Sequence, residues 1–215
     1  MKEIWLIRHG ESESNAGLLT SDTAKIALTS RGIAQAEHIV AAFTRPPSLI
    51  VTSPYLRAIQ SAQPTIGRFP QARLEEWLVH EYTYLSLASR HNTTLHGRKP
   101  QIDAYWERCD PDYLDGDGAE SFAALVFRAK QIMERIKRLD DDFGAIFSHG
   151  LFIRTLLWVL LAGPVEINAA MMQRYRSFIS GFSAPNASIL KLYVNSEREL
   201  FFGNFTTAHL PEFLK

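Results

Sequence analysis

The sequence predicts an α/β fold with a largely parallel sheet, and three observations point there. Short apolar runs alternate with amphipathic stretches along the chain. Two of these runs end in the pattern of a strand feeding directly into a helix: Ser48–Thr52 before Ser53-Pro54, and Gly144–Phe147 before Ser148-His149-Gly150. The chain is 215 residues long, 46% hydrophobic and 21% charged, which suits one soluble domain with a sizeable core.

Glu3–Ile7 reads as the first buried strand. Ile33, Ala36, Val40 and Phe43 recur at helical spacing. After the Ser48–Thr52 strand, Ser53 is placed to cap a helix whose first position is Pro54, where the missing N–H costs nothing. Phe122, Leu125, Val126, Ala129, Ile132, Met133 and Ile136 form a long apolar stripe, with Asp117 and Glu120 before it at the spacing of a capping box. The helix from Leu151 follows the Gly144–Phe147 strand. Ala187–Val194 and Leu200–Thr206 read as two late strands, placed to pair.

Residues from about 80 to 118 break this alternation. Gly97, Pro100, Pro111, Gly116 and Gly118 punctuate them, while Tyr82, Tyr84, Tyr105, Trp106 and Tyr113 give them material for a packed structure. A long irregular stretch inside a domain is usually functional, and this one is expected to form a cap inserted into a single 1–215 domain.

Lys+Arg and Asp+Glu both number 23, so the net charge is zero, which argues against a nucleic-acid binder. The single cysteine, Cys109, can form no internal disulfide and rules out multi-cysteine zinc sites. The most apolar stretch, Leu151–Ala162, contains Arg154 and is shorter than the about 20 residues needed to span a bilayer. Met1–Arg8 lacks a secretory pattern. The expectation is a soluble cytoplasmic protein with no membrane partner.

Two histidines stand in matching places: Arg8-His9-Gly10 after the first strand and Ser148-His149-Gly150 after a later one. Ligands bind beyond the carboxyl ends of parallel strands, so both belong at the functional edge. Arg57 falls in the first turn of a helix, where a cation opposes the helix dipole at about 0.3–1 kcal/mol unless an anion compensates. Arg8 adds a second guanidinium. Two arginines and two histidines at strand ends describe a phosphate pocket, because the guanidinium fork matches phosphate oxygens in pairs.

These motifs, in this order, resemble the histidine phosphatase superfamily, also called the phosphoglycerate mutase-like family. The resemblance rests on Arg8-His9-Gly10-Glu11, Leu28-Thr29-Ser30-Arg31-Gly32-Ile33-Ala34-Gln35-Ala36, Thr52-Ser53-Pro54-Tyr55-Leu56-Arg57-Ala58, Gly118-Ala119-Glu120-Ser121-Phe122, Ser148-His149-Gly150 and Pro185-Asn186. It implies a three-layer αβα sandwich and a mechanism in which His9 attacks phosphorus and becomes phosphorylated. His9 must then be neutral, helped by Arg8 and Arg57. Arg8, Arg57 and His149, the last when protonated, would clamp phosphoryl oxygens, with Asn15 and the Gly150 N–H as further donors.

The resemblance also calls for a carboxylic acid as proton donor. Glu81, in Glu81-Tyr82-Thr83-Tyr84, is the choice, although Leu85 and Ser86 stand where glycines usually follow; Glu75 and Glu76 compete. Arg90, Arg98 and Lys99, with His91 and His96, make the cap basic and are candidates to contact a second anionic group. His80, His38 and His209 are expected to be peripheral. The arginines supply the positive charge, so no metal and no cofactor is expected.

The leading expectation is a metal-independent phosphatase acting on a phosphate monoester. A phosphoglycerate mutase and a non-catalytic phospho-ligand binding module are the rivals. The partner is a small phosphorylated substrate or a phosphoprotein, with oligomeric state left open.

Overall fold

Six strands pair into one sheet in a computed structural model that describes residues 1–215. The strands are β1 (Lys2–Arg8), β2 (Leu49–Thr52), β3 (Arg73–Glu76), β4 (Phe143–Ser148), β5 (Ile189–Val194) and β6 (Leu200–Thr206). Their order across the sheet is β3-β2-β4-β1-β5-β6. β3, β2, β4 and β1 run parallel, whereas β5 and β6 form an antiparallel edge beside β1. The fold is the α/β arrangement with a mostly parallel sheet that the sequence predicts.

Seven helices accompany the sheet: α1 (Ser30–Ala41), α2 (Leu56–Arg68), α3 (Leu87–Arg90), α4 (Lys99–Arg108), α5 (Phe122–Arg138), α6 (Gly150–Ala162) and α7 (Ala169–Gly181). Side-chain alternation along β1 feeds a core on each face. Ile4 and Leu6 pack with the apolar stripe of α5 and with Phe152 and Ile153 of α6. Trp5 and Ile7 pack with Ile39, Phe43 and Ala62 on the α1–α2 side. Phe122 and Leu125 are wholly buried, so truncating either to alanine is expected to cost roughly 2–5 kcal/mol.

Several helix boundaries depart from the sequence reading. Pro54 does not begin α2: the helix starts at Leu56, its N-cap is Tyr55 without a side-chain bond, and Ser53 is wholly buried. Ser53 is spent instead on His149, through a 2.8 Å hydrogen bond. Asp117 and Glu120 do not cap α5. Ser121 does so, its hydroxyl accepting from the Ala124 N–H, while Glu120 pairs with Arg128 at 2.7 Å. In α1 the buried face is Gly32, Gln35, Ala36 and Ile39, whereas Ile33 points outward and Phe43 packs from beyond the helix end.

Two elements had no clear periodic signal. The charged sequence of β3 pairs only with β2 at the sheet edge, so its side chains need no apolar face. α7 is capped by Asn168 and held to α6 by a Tyr175–Thr155 hydroxyl pair at 2.8 Å. The 80–118 segment contains α3, α4 and an aromatic cluster of Tyr82, Tyr84, Tyr105 and Trp106. No helix is long and apolar enough to cross a membrane.

Candidate active site

Strand register brings the two histidines together. In the parallel β1–β4 pair, Arg8 lies opposite Ser148, so the next residues, His9 and His149, leave the sheet side by side. Their ring centroids are 5.0 Å apart. β2 pairs Thr52 with Phe147, which places Ser53 at the same edge. The turn after β1 is pressed against the start of α1: a Cβ on Gly10 would sit 2.4 Å from the Gly32 carbonyl oxygen, and one on Gly32 2.0 Å from that of Glu11. Both motif glycines are therefore required by close backbone approach.

The hydrogen bonds of His9 define its tautomer. Nδ1 lies 2.6 Å from the Gly10 carbonyl oxygen, an acceptor only, so Nδ1 carries the proton. Nε2 then presents its lone pair, to which Arg57 Nε donates at 3.1 Å. Burial, followed by the charges of Arg57 and Arg8, holds the His9 pKa well below 6.5. The neutral imidazole expected of a nucleophile is thus built into the surroundings.

Arg57 is 4% exposed and occupies the first turn of α2, with Nη1 donating to the Thr23 carbonyl at 2.7 Å. Arg8 donates to the Ala184 carbonyl, and its buried Nε has no partner. Burial draws both guanidinium pKa values down to about 10, leaving them cationic at neutral pH. Gly150 packs against Arg8, whose Nε would lie 3.1 Å from an added Cβ. Asn15 reaches the same pocket. Its Oδ1 accepts from the Ser12 N–H and hydroxyl and from Asn186 Nδ2, which leaves its own Nδ2 as the available end. Asn186 also donates to the carbonyls of His9 and Gly10, a bracing role that its place in the Pro185-Asn186 motif did not specify.

Glu81 stands at the start of α6. Its carboxylate accepts the N–H groups of Leu151 (3.1 and 3.2 Å) and Phe152 (3.1 Å), donors that the first helical turn leaves without backbone partners. Arg128 secures the preceding segment by donating to the Leu78 and His80 carbonyls. Glu75 and Glu76 lie instead on β3, where Glu75 bonds Trp77, Arg73 and Arg135. Neither lines the pocket.

The cavity above His9 has a volume of about 240 Å³. Its wall contains five arginines (Arg8, Arg57, Arg90, Arg98 and Arg154) and one carboxylate, Glu81. Tyr84, Leu95 and Ile102 form part of the apolar wall. A neutral protein has therefore concentrated positive charge at one place. Arg154 was missed by motif reading. Its signal was a lone cation in the apolar α6 sequence, and it is fastened by donation to the Gly150, Ile179 and Phe182 carbonyls.

Three sequence expectations need correction. His149 has no exposure and is not part of the cavity wall; its ring lies 5.0 Å from that of His9, and burial, then Arg57, holds its pKa well below 6.5. Burial therefore favours a neutral imidazole over the protonated clamp that the sequence suggests. Its Nε2 is bonded to Ser53, while Nδ1 is buried without a partner. Lys99 is exposed and paired with Asp103 one helical turn along α4, outside the cavity, unlike Arg90 and Arg98. His91 and His96 are exposed and also outside it. The His80 ring lies 5.4 Å from that of Tyr55 in a tilted arrangement, and His209 bonds the Ala187 carbonyl.

Comparison with known proteins finds relatives in sequence and in fold. The chain is 30% identical over 165 residues to an adenosylcobalamin/alpha-ribazole phosphatase of Salmonella typhi, covering 75% of this chain and 80% of that protein. It is 28% identical over 177 residues to the Salmonella typhimurium protein of the same name, covering 80% and 84%. Among solved structures, the alpha-ribazole phosphatase of Shigella flexneri superposes with a TM-score of 0.73 at 20% identity, covering 94% and 95% of the two chains. A phosphoserine phosphatase of Entamoeba histolytica, solved with 3-phosphoglyceric acid, gives 0.72 at 22% identity, covering 98% and 100%. The family model described as histidine phosphatase superfamily (branch 1) matches residues 4–194, and to that family the chain belongs.

Proposed function

We propose that this protein is a phosphatase that hydrolyses a phosphate monoester through a phosphohistidine on His9, without a metal. The observation that carries the reading is the state of His9: Nδ1 donates to Gly10, Nε2 keeps its lone pair, and two guanidinium groups flank the ring. A site that only bound phosphate would have no need of a desolvated, oriented lone pair.

In this reading a phosphoryl group enters between Arg8, Arg57, Asn15 and the Gly150 N–H. Arg57 Nε transfers its hydrogen bond from His9 to a phosphoryl oxygen, which frees Nε2. Nε2 then forms a bond to phosphorus as the bond from phosphorus to the substrate oxygen breaks, and Glu81, having taken the proton of the monoanionic phosphate ester, passes it to the departing alkoxide. The resulting carboxylate takes a proton from water as that water attacks phosphorus. The N–P bond breaks, and inorganic phosphate and His9 are released. His149 Nδ1, buried without a partner in a ring 5.0 Å from that of His9, is assigned to an oxygen of the phosphoryl group once that group reaches His9 and charge develops. An unmatched buried polar atom costs about 1–3 kcal/mol, which such a contact would offset.

The cavity volume of about 240 Å³ lies just below the roughly 300–1,000 Å³ typical of small-molecule pockets, favouring a compact metabolite over a phosphoprotein segment. The names of the relatives make α-ribazole phosphate and phosphoserine the first two to try. The test is a phosphate-release screen of small phosphate monoesters and phosphopeptides, with and without EDTA. It includes 3-phosphoglycerate with its 2,3-bisphosphate. Release from a small monoester, unchanged by EDTA, is expected. Phosphoryl exchange between the phosphoglycerates without net release, or reversible loss of activity with EDTA, would contradict the reading.

A further inference from the structure

Arg90 is the most extensively bonded arginine in the pocket wall. Nε donates to the carbonyls of Leu85 (2.8 Å) and Ser86 (3.1 Å), Nη2 to that of Gly118 (3.1 Å), and Nη1 to the Thr23 hydroxyl. It is 6% exposed, and each of these bonds ends on a carbonyl or a hydroxyl, none on a carboxylate. A rigid guanidinium fork can satisfy several fixed acceptors together, which a lysine ammonium cannot reproduce. Three segments therefore meet on one side chain.

Thr23 makes this meeting relevant to the reacting atoms. Its hydroxyl receives Arg90, and its carbonyl receives Arg57 Nη1 at 2.7 Å, while Arg57 Nε reaches His9 Nε2. The rest of the 20–24 loop repeats the pattern. On one side, Thr20 and Thr93 exchange backbone hydrogen bonds, Asn92 N–H donates to Ser21, and Arg98 donates to the Thr20 hydroxyl. On the other side, the Leu56 N–H at the start of α2 donates to the Ala24 carbonyl. The loop is a hydrogen-bonded strap between the 85–98 region and the arginine beside the nucleophile.

We propose that Arg90 is a positioning residue that acts through Thr23 to hold Arg57 against His9. The proposal rests on the reading of His9 as nucleophile, and it makes the 85–98 region part of the phosphoryl-transfer centre. Displacement of that region would be felt at the nucleophile without any direct contact. The charged and titratable groups nearest His9 are Arg57, Arg8 and His149, with Glu81, Arg90, Arg98 and Arg154 in the same cavity wall, and Arg57 alone bonds its ring Nε2, so a shift of Arg57 alters its surroundings most directly.

The test compares wild type, Thr23→Ala, Arg90→Lys and the double variant. One readout is the ¹⁵N signals of the His9 ring followed through a pH titration. The other is kcat and KM for p-nitrophenyl phosphate, with its acid pH limb. Each single variant is expected to shift the Nε2 signal and move the acid limb to higher pH. Each should also lower kcat about tenfold, less than the roughly 10²–10³ of losing a transition-state donor outright. KM should change less than kcat. If Arg90 acts through Thr23, the double variant should lose no more than the worse single variant. Multiplying losses, or unchanged His9 signals in both single variants, would overturn the proposal. If Arg90→Lys fails to fold, Thr23→Ser must restore what Thr23→Ala loses. A wild type that turns over no monoester would defeat the proposed function, whereas the His9 signals would still decide the role of Arg90.

Discussion

The ends of β1 and β4 deliver the same residue to the same edge, yet they make different histidines. His9 borders the cavity with its Nε2 lone pair turned to Arg57, and its other nitrogen is spent on the adjacent carbonyl. His149, at the end of the adjacent strand, is wholly buried, with Nε2 spent on Ser53 and Nδ1 unmatched. Both are held neutral by burial and by Arg57. The difference between a nucleophile and a supporting group therefore lies in which nitrogen is committed and to what, and less in charge. Motif symmetry, two histidines each followed by glycine, conceals that asymmetry.

The comparison can be broken most forcefully at His9. His9→Ala should abolish turnover while the far-UV circular dichroism stays native, and full activity in that variant would remove the mechanism. His149→Ala should be the lesser lesion, slowing phosphorylation by about 10²–10³ as for a lost preorganised donor, with His9 still able to accept the phosphoryl group. A His149→Ala protein that forms no phosphoenzyme at all would place the two histidines on an equal footing.

Glu81→Gln sharpens the contrast from the acid side. It should slow transfer from an alkyl phosphate far more than from p-nitrophenyl phosphate, whose leaving group scarcely needs a proton. Equal loss on both substrates would reduce Glu81 to a cap on α6.

The smallest effect is on stability. His9 and His149 are held well below 6.5, and burial, then Arg128, lowers His80 to about 4. An unfolded chain takes up these protons near pH 6.5, before the folded chain does, so stability is full above that pH and falls as pH drops toward about 4. Thermal midpoints between pH 7 and 4.5 should decline, and His149→Gln should flatten the slope. A midpoint indifferent to pH in that window would mean the histidines are more hydrated than their burial indicates.

The parts of the molecule legible in sequence were those governed by local rules. β1, β4, α5 and α6 were visible as apolar runs and stripes, and His9, Arg8 and Arg57 followed from motif order, whereas Glu81 was a choice made on the family resemblance against Glu75 and Glu76. What stayed hidden was set by long-range geometry. Ser53 looked like a helix cap because Ser-Pro has that local chemistry, but the register of β2 against β4 committed it to His149. Lys99 looked like a neighbour of Arg98 in function, yet one residue along a helix rotates a side chain away, and Asp103 takes it. Arg154 and Thr23 have no motif at all; they matter through carbonyls and hydroxyls brought close only by folding.

The central claim is covalent, and one measurement reaches it directly. A substrate found in the screen and labelled with ³²P in its phosphoryl group is mixed with the enzyme, and the reaction is quenched in alkali within a single turnover. The account predicts label on protein that is stable to base and labile to acid, confined by peptide mapping to His9 and absent from His9→Ala. Turnover by wild type with no acid-labile label on His9, or with the label on another residue, would contradict it.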